Sequence, residues 1–170
     1  MKFNFKYAFF FFSLLAIASC GSDYDVDDSF DLEELPNYVA FGDGTTNNAV
    51  LETLVVDEDA GTASFIIEAP AGTLSDVNIT YEVTGTAVAG IDYNIANAGS
   101  ITLAVDENDF LNRDQVLLNI DILTDGVVDG AKTLTITLTS ASNADGSLAV
   151  GRGGSDFLKS ANLEISDVDM

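Results

Sequence analysis

Carboxylates in turn-like segments are the side chains of this sequence with the clearest chemical potential. Asp92 follows a stretch of small, glycine-bounded residues and lies between Ile91 and Tyr93. An ionised carboxylate in such apolar surroundings needs a compensating partner, and a metal ion is one such partner. Other acidic residues fall in similar segments: Asp57, Glu58, Asp59, Asp125, Asp129, Asp167 and Asp169. If these segments share one end of the fold, their carboxylates converge there.

Short β-rich runs must position these carboxylates. From residue 49 onward they alternate with turn residues at a spacing typical of a sandwich, with no sustained helical period. The runs cover residues 49–56, 62–68, 76–84, 100–105, 115–123, 132–139 and 161–166. Strict alternation is clear in Leu134, Ile136 and Leu138, which are separated by threonines. We predict an all-β, immunoglobulin-like antiparallel β-sandwich of about seven strands, whose loops cluster at its two ends.

The composition excludes several classes of function. The 170 residues include 28 acidic and 6 basic side chains and one Cys, but neither His nor Trp. Without His, no Ser-His-Asp or Cys-His catalytic site can be built. A glycosidase-type carboxylate pair would lack a Trp platform for its sugar. The formal net charge of -22 disfavours nucleic acid, which needs a basic surface. We expect neither an enzyme nor a nucleic-acid partner, and cations remain as charged partners.

Two further polar segments are interpreted as structural. Residues 106–109, Asp-Glu-Asn-Asp, have the composition of a turn between two strands, which we place at the other end of the sandwich. Residues 151–154, Gly-Arg-Gly-Gly, lack the Lys-Ser/Thr of a phosphate-binding loop. They lie in a long connection over residues 140–160, which we predict to be a flexible loop.

The N-terminus has the pattern of an exported lipoprotein. Lys2 and Lys6 precede an apolar run over residues 7–17, which is shorter than the roughly 20 residues that span a membrane. Residues 17–20, Ile-Ala-Ser-Cys, resemble the lipobox of bacterial lipoproteins. We therefore predict a lipoprotein signal peptide over residues 1–19 and lipidation of Cys20. The alternative is an ordinary secretory signal that ends at a chance Cys. Cleavage would leave four of the six basic side chains and no internal disulfide.

Residues 20–48 are predicted to form an acidic tether between the lipid and a domain at residues 49–170. Crowded carboxylates within residues 23–28 repel one another and keep such a segment extended. This acidic patch also resembles the surface-export signal of Bacteroidetes lipoproteins, and a solvated spacer is an equally good interpretation. Apolar residues within 30–41 indicate that part of the segment packs on the domain.

Three motifs, in this order and spacing, resemble the Calx-beta domain, the calcium-binding module of sodium/calcium exchangers and integrin β4. Residues 85–93, Gly-Thr-Ala-Val-Ala-Gly-Ile-Asp-Tyr, are similar to the family's Gly-Thr-Ala-x-Ala-Gly-x-Asp-Tyr segment. Residues 122–130 are similar to its Asp-rich turn before strand F, and residues 163–169 to its closing Ile-x-Asp-Asp-Asp. The resemblance covers residues 49–170 and implies an immunoglobulin-like sandwich whose distal loops bind Ca²⁺.

The resemblance also implies a ligand set. Carried over by position, it comprises Glu58, Asp92, Asp125, the backbone carbonyl of Val127, Asp129, Asp167 and Asp169. Such oxygens suit a hard cation, and the absence of His and of a spare Cys disfavours softer metals. The sequence departs from the family at Thr124 and Lys132, where calcium-binding members have Asp and Glu, and at Val168, which interrupts the closing acidic triplet. We therefore expect one retained site or weak sites, with dissociation constants of roughly 10⁻⁴ to 10⁻³ M.

The combined expectation is a lipoprotein of a bacterial outer membrane, exposed at the surface or in the periplasm, whose acidic loops point away from the lipid anchor. Its Calx-beta domain would bind calcium for adhesion or interaction, and an unidentified surface protein or glycan would be its partner besides the anchoring membrane. The alternative is a structural or adhesive module that has lost calcium binding. A third hypothesis makes the domain a subunit of a larger surface complex.

Overall fold

The computed structural model describes residues 37–42, 51–71, 73–106 and 113–169. Within them, ten strands are present: β1 (Tyr38–Gly42), β2 (Leu54–Asp57), β3 (Thr62–Glu68), β4 (Val77–Gly85), β5 (Tyr93–Asn94), β6 (Ser100–Leu103), β7 (Gln115–Ile122), β8 (Lys132–Asn143), β9 (Gly146–Val150) and β10 (Ser160–Ser166). A 3-10 turn at Arg152–Gly154 lies between β9 and β10. The predicted signal peptide, Cys20 and most of the predicted tether lie outside the described residues. The described ranges contain no helix with the length and hydropathy that a membrane crossing requires.

The strands form two sheets. In one sheet the order of neighbours is β2, β10, β8, β4 and β6, and in the other it is β1, β3, β7 and β5. β9 pairs with both β8 and β1 and so connects the sheets. The pairs are antiparallel except for β1 with β9 and β2 with β10, which are parallel. The predicted all-β, immunoglobulin-like sandwich is confirmed, with two parallel pairs in addition to the antiparallel ones.

The core lies between the inward faces of the two sheets. In β4, Val77, Ile79 and Tyr81 are buried and alternate with exposed residues, as the period of a half-buried strand requires. β8 buries Leu134, Ile136 and Leu138 in the same way. The rings of Phe41 and Phe65 meet edge to face, with 5.9 Å between their centroids. Burial of these aliphatic and aromatic groups is the main force that joins the sheets.

The first strand begins earlier than predicted, within the range assigned to the tether. Val39, Ala40 and Phe41 of β1 are completely buried, and β1 pairs with β3 and with β9. The apolar residues near position 40 are therefore part of the sandwich. Conversely, β2 begins only at Leu54, so residues 51–53 of the first predicted run are not a strand.

The connection predicted to be a flexible loop over residues 140–160 is instead mostly regular structure. β8 continues to Asn143 and turns directly into β9, because the Asn143 side-chain oxygen accepts hydrogen bonds from the backbone N–H groups of Asp145 and Gly146. After β9, the 3-10 turn brings Arg152 to the carboxylate of Glu68 at 3.4 Å. Periodicity weakens beyond Leu138, so the sequence did not indicate this extension.

Four loops lie at one end of the sandwich, where β2, β4, β7 and β10 end: residues 58–61, 86–92, 123–131 and 167–169. Backbone hydrogen bonds join these loops and the adjoining strand ends: Glu58 N–H to the Ser166 oxygen (3.0 Å), Ile122 N–H to the Gly61 oxygen (2.9 Å) and Leu123 N–H to the Asp92 oxygen (2.9 Å). We call this region the acidic end, because each of its four loops carries a carboxylate at or beside these contacts.

Candidate metal centre

The loop over residues 86–92 folds around Asp92. It begins at Gly85, whose φ is 138° and where a Cβ would lie 2.1 Å from the Thr133 carbonyl oxygen, so only glycine fits. The Asp92 Oδ2 atom then accepts the Val88 N–H at 2.5 Å, and the Asp92 N–H donates to the Val88 carbonyl at 2.9 Å. Asp92 is only 8% exposed. The small residues of this motif thus give a backbone path that delivers a buried carboxylate to the acidic end.

Five of the six predicted acidic ligands form two groups that share one residue. One carboxylate oxygen each from Glu58, Asp125 and Asp169 lie within 4.8 Å of one another, and the same holds for Asp92, Asp125 and Asp129. We call these the Glu58 group and the Asp92 group. Oxygens at such separations can coordinate one Ca²⁺, which takes about six to eight oxygens at 2.3–2.6 Å.

Asp125 belongs to both groups, and its own side chain holds its loop in a turn. Its Oδ1 atom accepts the Val127 N–H at 2.8 Å, a local bond that Asp commonly makes in turns. Val127 therefore contacts Asp125, a predicted metal ligand, through its backbone amide. The coordinating role of its carbonyl, which the family resemblance implies, stays a prediction.

Asp167 is in neither group and instead holds the loops together. Its Oδ2 atom accepts the N–H groups of Gly130 (2.7 Å) and Asp129 (2.8 Å), and its Oδ1 atom accepts the N–H of Asp169 (2.9 Å). The bond from Gly130, with those from Asp169 and Asp129, holds the pKa of Asp167 below its ordinary value. This positioning role has no signal in the sequence, because it depends on amides that only the fold brings together.

The Glu58 group is short of positive charge. Glu58 is 7% exposed, and its Oε1 atom and the Asp169 Oδ2 atom are buried with no hydrogen-bond partner. Burial, then the neighbouring Asp169 carboxyl group and the charges of Asp167 and Asp125, raise the pKa of Glu58 to about 7. Buried acceptors without donors are rare in folded proteins and costly. A hard cation would satisfy both oxygens, so the residues present fit calcium.

The Asp92 group already contains a positive charge. The Lys132 Nζ atom lies 2.7 Å from the Asp129 Oδ2 atom. The hydrogen bond with Asp129 raises the pKa of Lys132, and the charges of Asp129, Asp92 and Asp125 act in the same direction. The other substituted position, Thr124, donates its hydroxyl to the Glu58 backbone oxygen at 3.0 Å. Both departures from the family pattern thus make contacts inside the acidic end.

The two sheets form an immunoglobulin-like β-sandwich that carries a cluster of carboxylates in the loops at one end. No protein-family profile matches the sequence, and no curated protein does. Solved structures do match. The apo form of the Calx CBD1 domain is 21% identical, with a TM-score of 0.54 over 78% of this chain and 98% of that one. The Calx CBD2 domain is 14% identical, with a TM-score of 0.52 over 77% and 86%.

The two-domain structure CBD12 from CALX1.2 is 21% identical, with a TM-score of 0.54, and this chain spans 44% of its length. These similarities confirm the Calx-beta-like fold that the sequence motifs predicted. At such identities the likeness concerns the fold alone, so calcium binding has to be argued from the carboxylates of this chain.

Proposed function

We propose that the protein binds calcium through the Glu58 group. One observation carries the proposal: Glu58 Oε1 and Asp169 Oδ2 are buried without hydrogen-bond donors, beside the carboxylate of Asp125. Like charges repel more strongly where burial reduces solvent screening, as at the buried Glu58 carboxyl group, and a divalent cation converts this repulsion into attraction. The similarity to the solved structure of the calcium binding domain CBD12 of CALX1.1 supports the same choice of ion.

The proposed stoichiometry is one Ca²⁺ ion per chain. In the Asp92 group, the ammonium of Lys132 supplies positive charge to Asp129, and a Ca²⁺ there would face a like charge within a few ångströms. Asp125 is shared, so two ions would also compete for its two oxygens. We therefore assign the Glu58 group as the calcium site and the Asp92 group as a site that the protein's own lysine neutralises.

The biological setting of the proposal comes from the sequence. The signal peptide and Cys20 would anchor the chain in a bacterial outer membrane, and the domain would act there as a calcium-responsive adhesion or interaction module without catalytic activity. Calcium would order the acidic end by relieving its repulsion.

Thermal unfolding with and without calcium tests this proposal. A ligand that binds only the folded state, at about 100 times its dissociation constant, adds about 2.7 kcal/mol, or about 10 °C in Tm for a domain of this size. Asp125→Asn should abolish the shift, and Asp145→Asn, an exposed aspartate in the β8–β9 turn, should retain it. Chloride salts of calcium and magnesium at equal ionic strength separate specific binding from screening. Equal shifts with both salts, or none, would contradict the proposal.

A second candidate function is supported by the Lys132–Asp129 ion pair, in which a side chain supplies positive charge to a carboxylate of the Asp92 group. Under this hypothesis the domain is a structural or adhesive sandwich that has lost calcium. Its melting temperature would then ignore calcium, and Asp125→Asn would raise the stability of the calcium-free protein by removing repulsion without changing any calcium response.

A further inference from the structure

The acidic end also exposes apolar side chains. Among the described residues, nine large hydrophobic side chains are exposed, and five of them lie in three of its loops. These five, which we call the apolar rim, are Val88 (50% exposed), Ile91 (52%), Val127 (54%), Val128 (67%) and Val168 (40%). Single exposed aliphatic residues are normal on protein surfaces, but a concentration at one end marks an interaction surface.

Each member of the apolar rim either donates a backbone hydrogen bond to a carboxylate or is adjacent to an aspartate in the sequence. The N–H groups of Val88 and Val127 donate to Asp92 and Asp125, and Ile91 directly precedes Asp92. Val128 precedes Asp129 in the sequence, and Val168 separates Asp167 from Asp169.

The loops that bear the rim are also held against one another. The Asp129 and Gly130 amides bond to Asp167, and oxygens of Asp92, Asp125 and Asp129 lie within 4.8 Å of one another. The aliphatic groups are thus presented on a restrained framework, which lowers the entropy cost of binding a partner.

The charge of this surface selects its partner. A second copy of the chain would present the same carboxylates, and an anionic lipid surface would meet the same repulsion. The apolar rim also lacks the aromatic and basic side chains that favour membrane interfaces. A partner with basic groups, by contrast, is complementary. Lys132 shows how such a group fits, because its ammonium lies 2.7 Å from Asp129 among these loops.

We infer that the acidic end is a docking site for a cationic, aliphatic protein segment, whose lysine or arginine side chains pair with the loop carboxylates and whose apolar side chains pack on the apolar rim. The inference goes beyond calcium binding and does not require it. Because a bound Ca²⁺ would use some of the same carboxylates, calcium should weaken this docking.

The first experiment measures fluorescence anisotropy of short synthetic peptides with the full chain in chelator. The probe is an acetylated, amidated peptide of alternating lysine and valine, and the controls alternate lysine with serine or glutamate with valine. We expect the lysine–valine peptide to bind about tenfold more tightly than lysine–serine, since apolar burial adds to charge. We expect no binding of glutamate–valine. Equal binding of the two lysine peptides, or none, would overturn the inference, as would preferential binding to phosphatidylglycerol vesicles.

The second experiment assigns the surface with matched variants. Ile91→Ser combined with Val128→Ser should weaken binding of the lysine–valine peptide about tenfold. Leu117→Ser, 55% exposed on β7 and outside the acidic end, should leave it unchanged. Equal effects of both changes would overturn the inference. The serine variants keep every carboxylate and should retain the calcium shift in Tm, so failure of docking and failure of calcium binding are separately visible.

Discussion

Two buried glutamates near opposite ends of β3 have opposite electrostatic surroundings. Glu68, 2% exposed, is the last residue of β3. Its Oε1 atom lies 2.9 Å from Arg113 Nη1 and 3.4 Å from Arg152 Nη2. Glu58, 7% exposed, precedes the strand, and the charges that act on it are the carboxylates of Asp169, Asp167 and Asp125. One glutamate is surrounded by cations and the other by anions.

The difference distinguishes a structural carboxylate from one suited to an external cation. Burying a carboxylate costs several kcal/mol unless a positive group compensates it. At Glu68 the chain supplies that compensation itself, and it packs so closely that a Cβ at position 42 would lie 2.5 Å from its carboxyl group. The other basic side chains after the predicted signal peptide, Lys132 and Lys159, pair with Asp129 and Asp156. The described basic side chains thus pair with other carboxylates, so a bound cation would supply the positive charge that compensates Glu58.

The largest expected effect comes from removing the charge of Glu68, which lies outside the acidic end. Glu68→Gln should lower the free energy of unfolding by about 3 kcal/mol, because it removes the charge that two arginines share in a buried place. The loss should be the same with calcium and with chelator, since Glu68 is not part of the acidic end. Urea denaturation measures both values.

Glu82→Gln serves as the control for that change, because Glu82 is an exposed glutamate on β4. Its effect should stay within about 0.5 kcal/mol. If calcium abolished the loss of stability in Glu68→Gln, Glu68 and the acidic end would not be independent. The contrast between the two glutamates would then fail.

The next largest effect is expected in the pH dependence of stability, to which Glu58 contributes. Glu58 has a pKa of about 7 in the folded protein against an ordinary 4.5, so the folded state retains a proton that the unfolded state has released. Without calcium, the free energy of unfolding should therefore fall as pH rises from about 4.5 to about 7. The lowered pKa of Asp167 acts in the opposite direction, and its contribution is lost only as pH falls below its ordinary 3.8.

Urea titrations across this range, in chelator, measure the slope. Glu58→Gln should flatten it, while Glu82→Gln should leave it unchanged, because only the former removes the group that takes up the proton. Saturating calcium should flatten it as well, since the ion displaces the same proton. A slope that survives in Glu58→Gln would show that other groups carry the effect.

The fold was predictable where the apolar period was regular. The run at 62–68 coincides with β3, and the runs in β4, β7 and β8 were placed to within a few residues. β1 was missed because an acidic composition dominates the segment before it. β5 was missed because it is only two residues long, and its pairing with β7 is a tertiary contact.

The acidic residues of the candidate site could be named from the sequence, but their relations could not. The family resemblance implied a ligand set that includes Glu58, Asp92, Asp125, Asp129 and Asp169, and the structure brings these five into two overlapping groups. Asp167 belonged to the same motif, yet its oxygens receive backbone amides. Which aspartate faces an ion and which orders a loop depends on register across strands, and no single-chain pattern records that.

Lys132→Gln tests whether the internal ammonium limits calcium binding. Removing a positive charge near Asp125 should raise calcium affinity by about five- to tenfold. It should also lower stability in chelator, because Asp129 loses its partner at 2.7 Å. Isothermal calorimetry measures affinity and stoichiometry, and a second bound ion would show that the Asp92 group has become available.

Lys159→Gln is the matched control, because Lys159 also pairs with an aspartate three residues earlier, at 3.5 Å from Asp156, but outside the acidic end. Its calcium affinity should equal that of the parent chain. Equal gains in both variants would mean that net charge alone controls affinity, and Lys132 would have no local role in the site.

The smallest expected effect concerns Thr124, the position at which family members have Asp. Its hydroxyl donates to the Glu58 backbone oxygen at 3.0 Å, so Thr124→Val should cost about 1 kcal/mol, a typical hydrogen bond. Because this bond fixes the backbone of a ligand, calcium affinity should fall as well. Thr102→Val removes a comparable hydroxyl bond, 3.1 Å to Asn78, and should affect stability alone. Loss of calcium affinity in Thr124→Val only would show that the chain uses this hydroxyl to position Glu58, in place of the charge that an aspartate would have added.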